Sequence, residues 1–266
     1  MISSFIFSFF KTYNGISAPK GFGLFNYEAI FRDKDILISL RITFLYALVT
    51  VPGSMILSFV LALFLKNDVK GIGVYRVLCY MPVIIPATVL GMLYVDFFDP
   101  RFGLANNIFA SLGLPQSQFF KGASSALPTL MFTNLWGIGG GMILWLSSLK
   151  NVPESLYEAA KIDGAGFFKR LFVITVPMCS TMIFYNLIMG IIGSLQNFGL
   201  VFIVTGGTTG VDKSLMFYAV KIYLEAFSAW KMGYASALAW VLFLIIIMLT
   251  MLVFKTNKWV YYGDEN

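Results

Sequence analysis

Long apolar stretches without a charge alternate with short polar loops along the chain. The charge-free intervals are residues 42–65, 77–95, 122–149, 171–211 and 232–254. A helix needs about 20 apolar residues to cross the hydrocarbon core of a bilayer. The pattern therefore predicts five full transmembrane helices.

The fourth interval is long enough for two helices, but polar residues interrupt its middle. Ser194, Gln196 and Asn197 lie there, and the turn-forming sequence TGGTTG follows at 205–210. Two helices would leave almost no connecting loop. We therefore predict one span to about Gly193, followed by a segment that dips back toward the membrane, where protein or water must cover its backbone.

The N-terminal sequence MISSFIFSFF is apolar but too short to span a bilayer. It lacks the positive start and the small-residue cleavage site of a signal peptide. Either a truncated sixth helix or a shallow anchor fits it.

The predicted fold is an all-α polytopic membrane protein. Its regions are an N-terminal remnant and outer entry segment (1–41), a membrane domain (42–254) with a charged loop at 150–170, and a tail (255–266).

Composition and charge place this protein in a membrane and orient it. The chain of 266 residues is 58% hydrophobic and only 12% charged, whereas soluble domains are about 25% charged. Loops 66–76, 150–170 and 255–266 carry nine Lys and Arg, against five in the longer alternate loops 96–121 and 194–231. Loops richer in Lys and Arg stay cytoplasmic, so we place the first set inside and the alternate loops outside. Residues 1–41 oppose this rule with five more on the outside. The net charge of +6 follows from the inside bias and requires no nucleic acid.

Several kinds of chemistry lack the residues they need. The chain has no histidine, which excludes Ser-His-Asp and Cys-His catalysis and argues against a zinc site. Cys79 and Cys179 lie in predicted spans, where we expect small buried side chains. The predicted spans contain no Asp, Glu, Lys or Arg, although proton-coupled carriers use such charged residues as relays. A sodium-coupled carrier stays open, because it can use backbone carbonyl groups.

One stretch of the chain resembles a phosphate-binding loop, but we reject that assignment. GTTGVDKS, at 207–214, approximates GxxxxGK[ST], but Asp212 stands in place of the second glycine. No strand is predicted before it, although the phosphate loop requires a strand, a turn and a helix. We therefore expect no nucleotide, cofactor or metal to bind this chain, and no catalytic residue.

The charged loop contains the sequence VPESLYEAAKIDGAGFFKR at 152–170. Pro153 suits the first helical turn, and Gly164 can adopt the left-handed conformation that ends a helix. These signals predict a short helix over 153–164 that lies across the cytoplasmic face. Ala159 and Ala160 add little bulk, so a partner could approach the backbone closely. A plain cytoplasmic connector with a capped helix is the alternative interpretation of the same residues.

The spacing within this loop resembles a family signature. Glu158, Ala159 and Ala160 are followed by Gly164 and then by the stretch 174–177, IxVP. This is similar to the pattern EAA-x3-G-x9-I-x-L-P of permease subunits in binding-protein-dependent ATP-binding-cassette importers, with valine for leucine. The sequence IDGA at 162–165 resembles the carbohydrate-uptake branch, of the maltose-transporter first-subunit type.

Other stretches extend the resemblance over nearly the whole chain from about residue 21. They are GLFNYEAIF, SLRITF, YRVLCYMPVIIP, NFGLVFIVTGG and YLEAF. Two departures are the short N-terminal segment, where relatives have a complete first helix, and TGGTTG in place of the usual TGGGP.

The resemblance implies a function, partners and site residues. The chain would form half of a sugar pathway with a second permease subunit, in a bacterial or archaeal plasma membrane. A cytoplasmic ATPase dimer would use ATP and Mg, and an extracytoplasmic sugar-binding protein would deliver substrate. The implied ATPase contacts are Glu158, Ala159, Ala160, Asp163 and Gly164. The implied substrate-lining residues are Asn134, Gly137, Gly190, Ser194 and Asn197.

Two other functions remain open from the residues themselves. An autonomous sodium-coupled carrier or channel would need an internal repeat of broken helices, and no convincing repeat is present. A non-transporting membrane scaffold could use the charged helix to recruit a partner. That hypothesis leaves the polar residues Ser194 and Asn197 within an apolar stretch unexplained.

Overall fold

A computed structural model describes residues 1–67 and 69–261, and the described chain is mostly helical. The helices from the N-terminus to the charged loop are α1 Ile2–Ser8, α2 Phe25–Arg32, α3 Lys34–Leu65, α4 Ile72–Ile84, α5 Ala87–Phe97, α6 Leu104–Ser111, α7 Ala126–Asn134, α8 Gly139–Lys150 and α9 Glu154–Ile162. After it come α10 Phe167–Arg170, α11 Val176–Met178, α12 Ser180–Leu195, α13 Gly199–Val204, α14 Tyr218–Tyr223 and α15 Met232–Lys255. Two π-helical turns, Leu171–Thr175 and Leu224–Ser228, interrupt the later helices.

A small hairpin near the N-terminus departs from the all-helical prediction. Strands β1 Phe10–Thr12 and β2 Lys20–Phe22 pair antiparallel, with Phe10 opposite Phe22. The buried amide of Asn26 donates hydrogen bonds to the carbonyl oxygens of Ser8 and Phe10, at 2.9 and 2.8 Å. The sequence did not reveal this hairpin, because strands of three residues are too short to show an alternating pattern.

Three helices are long and apolar enough to cross a membrane. They are Lys34–Leu65, Ser180–Val204, which includes a short break, and Met232–Lys255. Two interrupted pairs, Ile72–Ile84 with Ala87–Phe97 and Ala126–Gly137 with Gly139–Lys150, also pass when each pair is counted as one span. The described residues therefore provide between three and five candidate spans by length and composition.

The helix in the fourth apolar interval ends at its polar residues, slightly later than the predicted end near Gly193. Helix α12 continues two residues beyond Gly193 and ends at Leu195. Residues 196–198 are not α-helical, and α13 then resumes as Gly199–Val204. Asn197 therefore lies outside α12 and does not continue the helix on which Ser194 lies.

The chain divides into two compact units that alternate along the sequence. Unit 1 comprises Met1–Leu48, Pro86–Thr133 and Ile192–Leu249, and unit 2 comprises Val49–Ile85, Asn134–Ile191 and Thr250–Asn266. The domain boundaries predicted after residues 41 and 254 remain predictions. The last five residues of the predicted tail, 262–266, lie outside the described residues.

The core of unit 1 is rich in aromatic side chains. Tyr46 packs edge-on against Phe217 with ring centroids 5.1 Å apart, and Phe98 packs similarly against Phe120 at 5.7 Å. Leu130 is fully buried in the same cluster. Edge-to-face aromatic pairs add about 1 kcal/mol each beyond the burial of their surface, so these contacts stabilise the core of unit 1.

The core of unit 2 forms around Trp145 and a closely approaching glycine. The Trp145 indole is buried and donates a 3.0 Å hydrogen bond to the hydroxyl of Ser58. Gly139 lies against the backbone of α4, where a side-chain carbon would collide with the carbonyl group of Cys79. Small residues permit such close helix packing in membranes. Cys179 is fully buried, as expected, whereas Cys79 is only half-buried.

Candidate functional site

The charged loop folds into the helix that the sequence predicts, and we call α9, Glu154–Ile162, the EAA helix. It is one residue shorter at the start than expected, because Pro153 has an extended conformation and precedes the first helical turn. Glu154 occupies that turn, where a carboxylate favours the positive end of the helix dipole.

The glycine after the EAA helix ends it as predicted. Gly164 has a φ of 72°, in the left-handed region that disfavours other residues. Two backbone hydrogen bonds close the end, from Gly164 to the Lys161 carbonyl at 3.0 Å and from Ala165 to the Ala160 carbonyl at 2.8 Å. This arrangement satisfies carbonyl groups that a helix end would leave unpaired, so the chain reverses direction sharply at a defined residue.

The side chains predicted to contact an ATPase lie mainly on the surface. Glu158, Ala159, Asp163 and Gly164 are exposed, whereas Ala160 is half-buried. Within the described residues, Glu158 and Asp163 take part in no ion pair. The helix therefore presents unpaired carboxylates beside a small side chain, and Ala159 is the alanine that a partner could reach directly.

An exposed apolar side chain on the EAA helix was missed by the sequence analysis. Ile162 is 88% exposed, and Leu156 is 40% exposed on the same helix. Phe167 and Phe168 follow in the same loop and are also exposed. The available signal was an isoleucine between Lys161 and Asp163, two charged residues of the loop. Well-packed apolar anchors contribute much of the affinity at protein interfaces, which makes Ile162 a candidate contact.

Three of the five predicted substrate-lining residues line one cavity within unit 2. This cavity has a volume of about 270 Å³. Its lining includes Asn134, Gly137 and Gly190 together with Ser54 and Asn186. Polar groups and close-packed glycine therefore converge at one place, as in a small-molecule site.

The two glycines in this cavity have different surroundings. Apart from its chain neighbours and its own helix backbone, no atom of the described residues lies within 4 Å of the place where a side chain at Gly137 would begin. A side-chain carbon at Gly190 would lie 2.8 Å from Cγ1 of Val51. Gly137 therefore leaves open space, whereas Gly190 allows α12 to approach α3 closely.

Asn186 and Ser54 are cavity residues that the sequence analysis missed. The Asn186 amide donates a 2.9 Å hydrogen bond to the Met182 carbonyl, and the Ser54 hydroxyl donates to the Val51 carbonyl at 3.1 Å. The carbonyl oxygen of the Asn186 side chain has no hydrogen-bond partner among the described residues. An asparagine one helical turn before Gly190 was the available signal.

The other two predicted substrate-lining residues do not line this cavity. Ser194 and Asn197 belong to unit 1. The Ser194 residue is 8% exposed, and its carbonyl accepts a 3.4 Å hydrogen bond from the Asn197 backbone. The structure thus divides the predicted set, and of these two residues Ser194 lies in the last turn of α12 whereas Asn197 lies beyond its end.

A cluster of ion pairs holds the loop segments of unit 1 together. The buried ammonium group of Lys221 lies 2.9 Å from the Asp33 carboxylate and 3.3 Å from that of Glu225. The Tyr234 hydroxyl donates a 2.9 Å hydrogen bond to Asp33. Lys231 lies 3.6 Å from Glu225. We call these five residues the Lys221 cluster.

The pairing in this cluster outweighs the effect of burial on the pKa values. Partial burial alone would raise the pKa of Asp33, but hydrogen bonds from Lys221, the Asp35 backbone and Tyr234 lower it below its ordinary value. Burial would lower the pKa of Lys221, but its bond to Asp33 and the charges of Asp33 and Glu225 raise it. Asp33 and Lys221 are therefore both charged at neutral pH.

Neither a metal site nor a phosphate loop is assembled by the described residues. No group of three or more His, Cys, Asp or Glu there could hold a metal ion. The sequence that resembles a phosphate loop follows helix α13 instead of a strand. Its Lys213 ammonium group lies 2.6 Å from Asp35, so a carboxylate of this chain neutralises the lysine.

The chain matches the family model described as the binding-protein-dependent transport system inner membrane component, over residues 44–260. It belongs to this family. The permease is 35% identical over 264 residues to the probable ABC transporter permease protein YesP of Bacillus subtilis, covering 98% of this chain and 85% of YesP. It is 33% identical over 261 residues to the diacetylchitobiose uptake system permease protein NgcF of Streptomyces coelicolor, covering 92% and 73%.

A solved structure has the same fold. The permease superposes with a TM-score of 0.81 and 19% identity on a chain of a bacterial alginate ABC transporter in complex with an alginate pentasaccharide-bound periplasmic protein, covering 89% of this chain and 83% of that one. Together with the family match, this makes the protein a multi-pass inner-membrane permease. Family membership favours transport over the scaffold hypothesis, and a multisubunit system over an autonomous carrier.

Proposed function

We propose that the permease is one of two membrane subunits of an ATP-binding-cassette importer for a sugar. It forms half of the translocation pathway, with five spans in addition to the N-terminal segment. A second permease subunit completes the pathway, and an extracytoplasmic sugar-binding protein delivers the substrate. A cytoplasmic ATPase dimer binds and hydrolyses ATP with Mg, and this chain binds neither.

The surface of the EAA helix is the observation that carries this proposal. Exposed carboxylates at Glu158 and Asp163 have no ion-pair partner within the described part of the chain. Ala159 leaves the backbone accessible between them, and Ile162 adds an apolar group that is 88% exposed. An ATPase surface with basic groups around an apolar pocket is complementary to this arrangement.

The position of the helix in the chain explains how docking moves the membrane helices. Val152, just before it, is 7% exposed and packs in the core of unit 2. The chain after Gly164 leads through α10 to the π-helical turn Leu171–Thr175. A rigid helix of about 14 Å, joined to membrane segments at both ends, transmits a displacement from the ATPase to those segments.

The cavity in unit 2 supports a saccharide as the substrate. Amide and hydroxyl groups from Asn134, Asn186 and Ser54 line it, and such groups pair with sugar hydroxyls without requiring a charge. NgcF and the alginate transporter are both named for saccharides. Ser194 and Asn197 remain proposed substrate contacts on the basis of the resemblance.

Co-purification with the ATPase tests this function. The permease is co-expressed with a candidate ATPase and a candidate second permease from the same source, extracted in detergent, and compared with the Ala159→Trp variant. We expect the unmodified chain to retain the ATPase and the variant to lose most of it, since an exposed indole at Ala159 prevents close approach. Ala159 is preferred to Ala160, because a bulky residue at the half-buried Ala160 would also disturb the permease itself.

Leu112→Trp is the matched control, because Leu112 is 67% exposed in a loop predicted on the opposite face. This variant should retain the ATPase as well as the unmodified chain does. If Leu112→Trp and Ala159→Trp lose the ATPase equally, the EAA helix is not the docking surface. If the unmodified chain retains no ATPase, the proposed function is wrong.

A further inference from the structure

Tyr157 is the point at which the EAA helix contacts two other parts of unit 2 through its side chain. Its hydroxyl lies 2.9 Å from the hydroxyl of Thr175. The ammonium group of Lys66 lies 4.6 Å from the centre of its ring, within the range of a cation–π interaction. Tyr157 is half-buried, whereas Leu156 and Glu158 on either side of it are exposed.

Each of these contacts leads to the end of a different membrane helix. Lys66 directly follows α3, which ends at Leu65. Thr175 is 4% exposed and ends the π-helical turn Leu171–Thr175 at the start of the segment that leads to α12. Its hydroxyl also donates to the carbonyl of Arg170, at 3.4 Å. Tyr157 therefore joins the end of one span to the beginning of another.

A second interaction holds the α3 end of this junction in place. The guanidinium group of Arg76 donates two hydrogen bonds to the carbonyl oxygen of Leu65, at 2.7 and 3.2 Å. This oxygen lies in the last turn of α3, where helix carbonyls lack partners within the helix. Arg76 belongs to α4, so the junction also includes a third membrane segment.

Neither partner of the tyrosine–threonine pair belongs to the family signature described above. Tyr157 immediately precedes the EAA triplet, and Thr175 occupies the variable position between Ile174 and Val176. The signature thus covers the residues proposed to contact the ATPase. It does not include the side chains that attach the EAA helix to the rest of unit 2. The π-helical turn at Thr175 is a less stable geometry that commonly occurs at functional sites, and it can change its hydrogen bonding when the helix shifts.

We propose that Tyr157 is a positioning residue that couples movement of the EAA helix to α3 and to the segment preceding α12. This inference rests on the proposed docking of an ATPase to that helix. Docking displaces the helix, and the hydroxyl pair with Thr175 transmits the displacement to the π-helical turn. Without that pair, the backbone after the helix can absorb the movement at Gly164 and Gly166, where no side chain restricts it.

Packing alone is the competing explanation, since the ring of Tyr157 also contacts the apolar core of unit 2. Tyr157→Phe separates the two, because it keeps the ring and the contact with Lys66 but removes the hydroxyl group. Thr175→Val removes the same hydrogen bond from the other side with little change in volume. If the pair acts as a unit, the double variant should behave like either single variant.

The first measurement uses the full-length permease alone in lipid nanodiscs. A nitroxide label is attached at Lys161→Cys, in a background where Cys79 and Cys179 are replaced by alanine. We expect the label to become more mobile in Tyr157→Phe and in Thr175→Val, to a similar extent, with the thermal midpoint unchanged. An unchanged electron paramagnetic resonance spectrum in both variants would overturn the proposal and leave packing as the role of Tyr157.

The second measurement uses the complex with the ATPase, the second permease and the binding protein. Both variants should retain the ATPase on co-purification, but stimulation of ATP hydrolysis by the binding protein should fall about fivefold, the size expected for the loss of one hydrogen bond. Full stimulation in both variants would contradict the transmission role. If the unmodified chain binds no ATPase, the proposed function and the transmission role both fail, while the spin label still reports whether the contact positions the helix.

Discussion

The EAA helix and the Lys221 cluster both contain acidic and basic residues, but their charges have different partners. In the cluster, Lys221 lies between Asp33 and Glu225 and is almost completely buried. On the EAA helix, Glu158 and Asp163 face outward and form no ion pair with the described residues. Charges that are paired and buried hold a fold together, whereas unpaired exposed charges are available to another molecule.

This difference shows why charge counts alone do not identify a docking surface. In the sequence, both regions look like polar segments that contain acidic and basic residues. Only the structure separates the region whose charges neutralise one another from the region whose charges do not. Four substitutions or conditions would sharpen this comparison or contradict it.

Lys221→Met should have the largest effect on stability. It leaves the Asp33 and Glu225 carboxylates partly buried without their central cation, which we expect to cost about 3 kcal/mol. Thermal unfolding of the purified protein in detergent would measure this as a lower midpoint. The matched control is Lys213→Met, which breaks the more exposed pair with Asp35 and should cost at most about 1 kcal/mol. Equal effects of the two variants would show that the cluster has no special role.

The stability that the cluster contributes should depend on pH at both extremes. The pKa of Asp33 is lowered on folding, so its contribution is complete above its unfolded value of about 3.9 and is lost as the pH falls through the lower folded value. The pKa of Lys221 is raised, so its contribution is complete below its unfolded value of about 10.4 and is lost as the pH rises through the higher folded value.

Unfolding midpoints measured from pH 3 to pH 11 would test this. Between about pH 5 and pH 10 the difference between the unmodified protein and Lys221→Met should be constant, and it should shrink outside that window. A difference that changes steadily around pH 7 would contradict the pairing, since neither Asp33 nor Lys221 should titrate there.

Ile162→Ala should weaken docking without affecting the fold. Ile162 is 88% exposed, so its removal creates no cavity, whereas the loss of an apolar contact at an interface costs about 1.4 kcal/mol or about tenfold in affinity. Titration of the purified ATPase onto the permease in nanodiscs measures the affinity. A lower thermal midpoint of the isolated permease would place Ile162 in the core of the fold and contradict its exposed position.

Glu158→Gln should have the smallest effect. The carboxylate has no ion-pair partner among the described residues, so stability should change by less than about 0.5 kcal/mol. Association with the ATPase should slow at low salt and approach the unmodified rate at high salt, because a surface charge steers encounter. A clear loss of stability would mean that Glu158 is paired within the permease, as the members of the Lys221 cluster are.

The sequence could predict more of the EAA helix than of the cavity. The helix depends on local signals, with Pro153 before its first turn and Gly164 in the left-handed region after its end. Local backbone preferences act between neighbouring residues, so they can be read without knowledge of the fold. The cavity depends on packing between helices that are distant in the sequence. That is why Asn186 and Ser54 were missed, and why Ser194 and Asn197 do not join Asn134 there.

The sequence by itself determined the apolar segments, the charged loop between two of them and the family signature that identifies the permease. These properties reside in composition and in spacing along one chain, where periodicity and charge are directly visible. Only the tertiary structure decided that Lys221 is neutralised, that Ala159 is more accessible than Ala160, and that Tyr157 meets Thr175 and Lys66. Pairing and burial depend on which distant residues come together, and no local pattern in this sequence specifies those contacts.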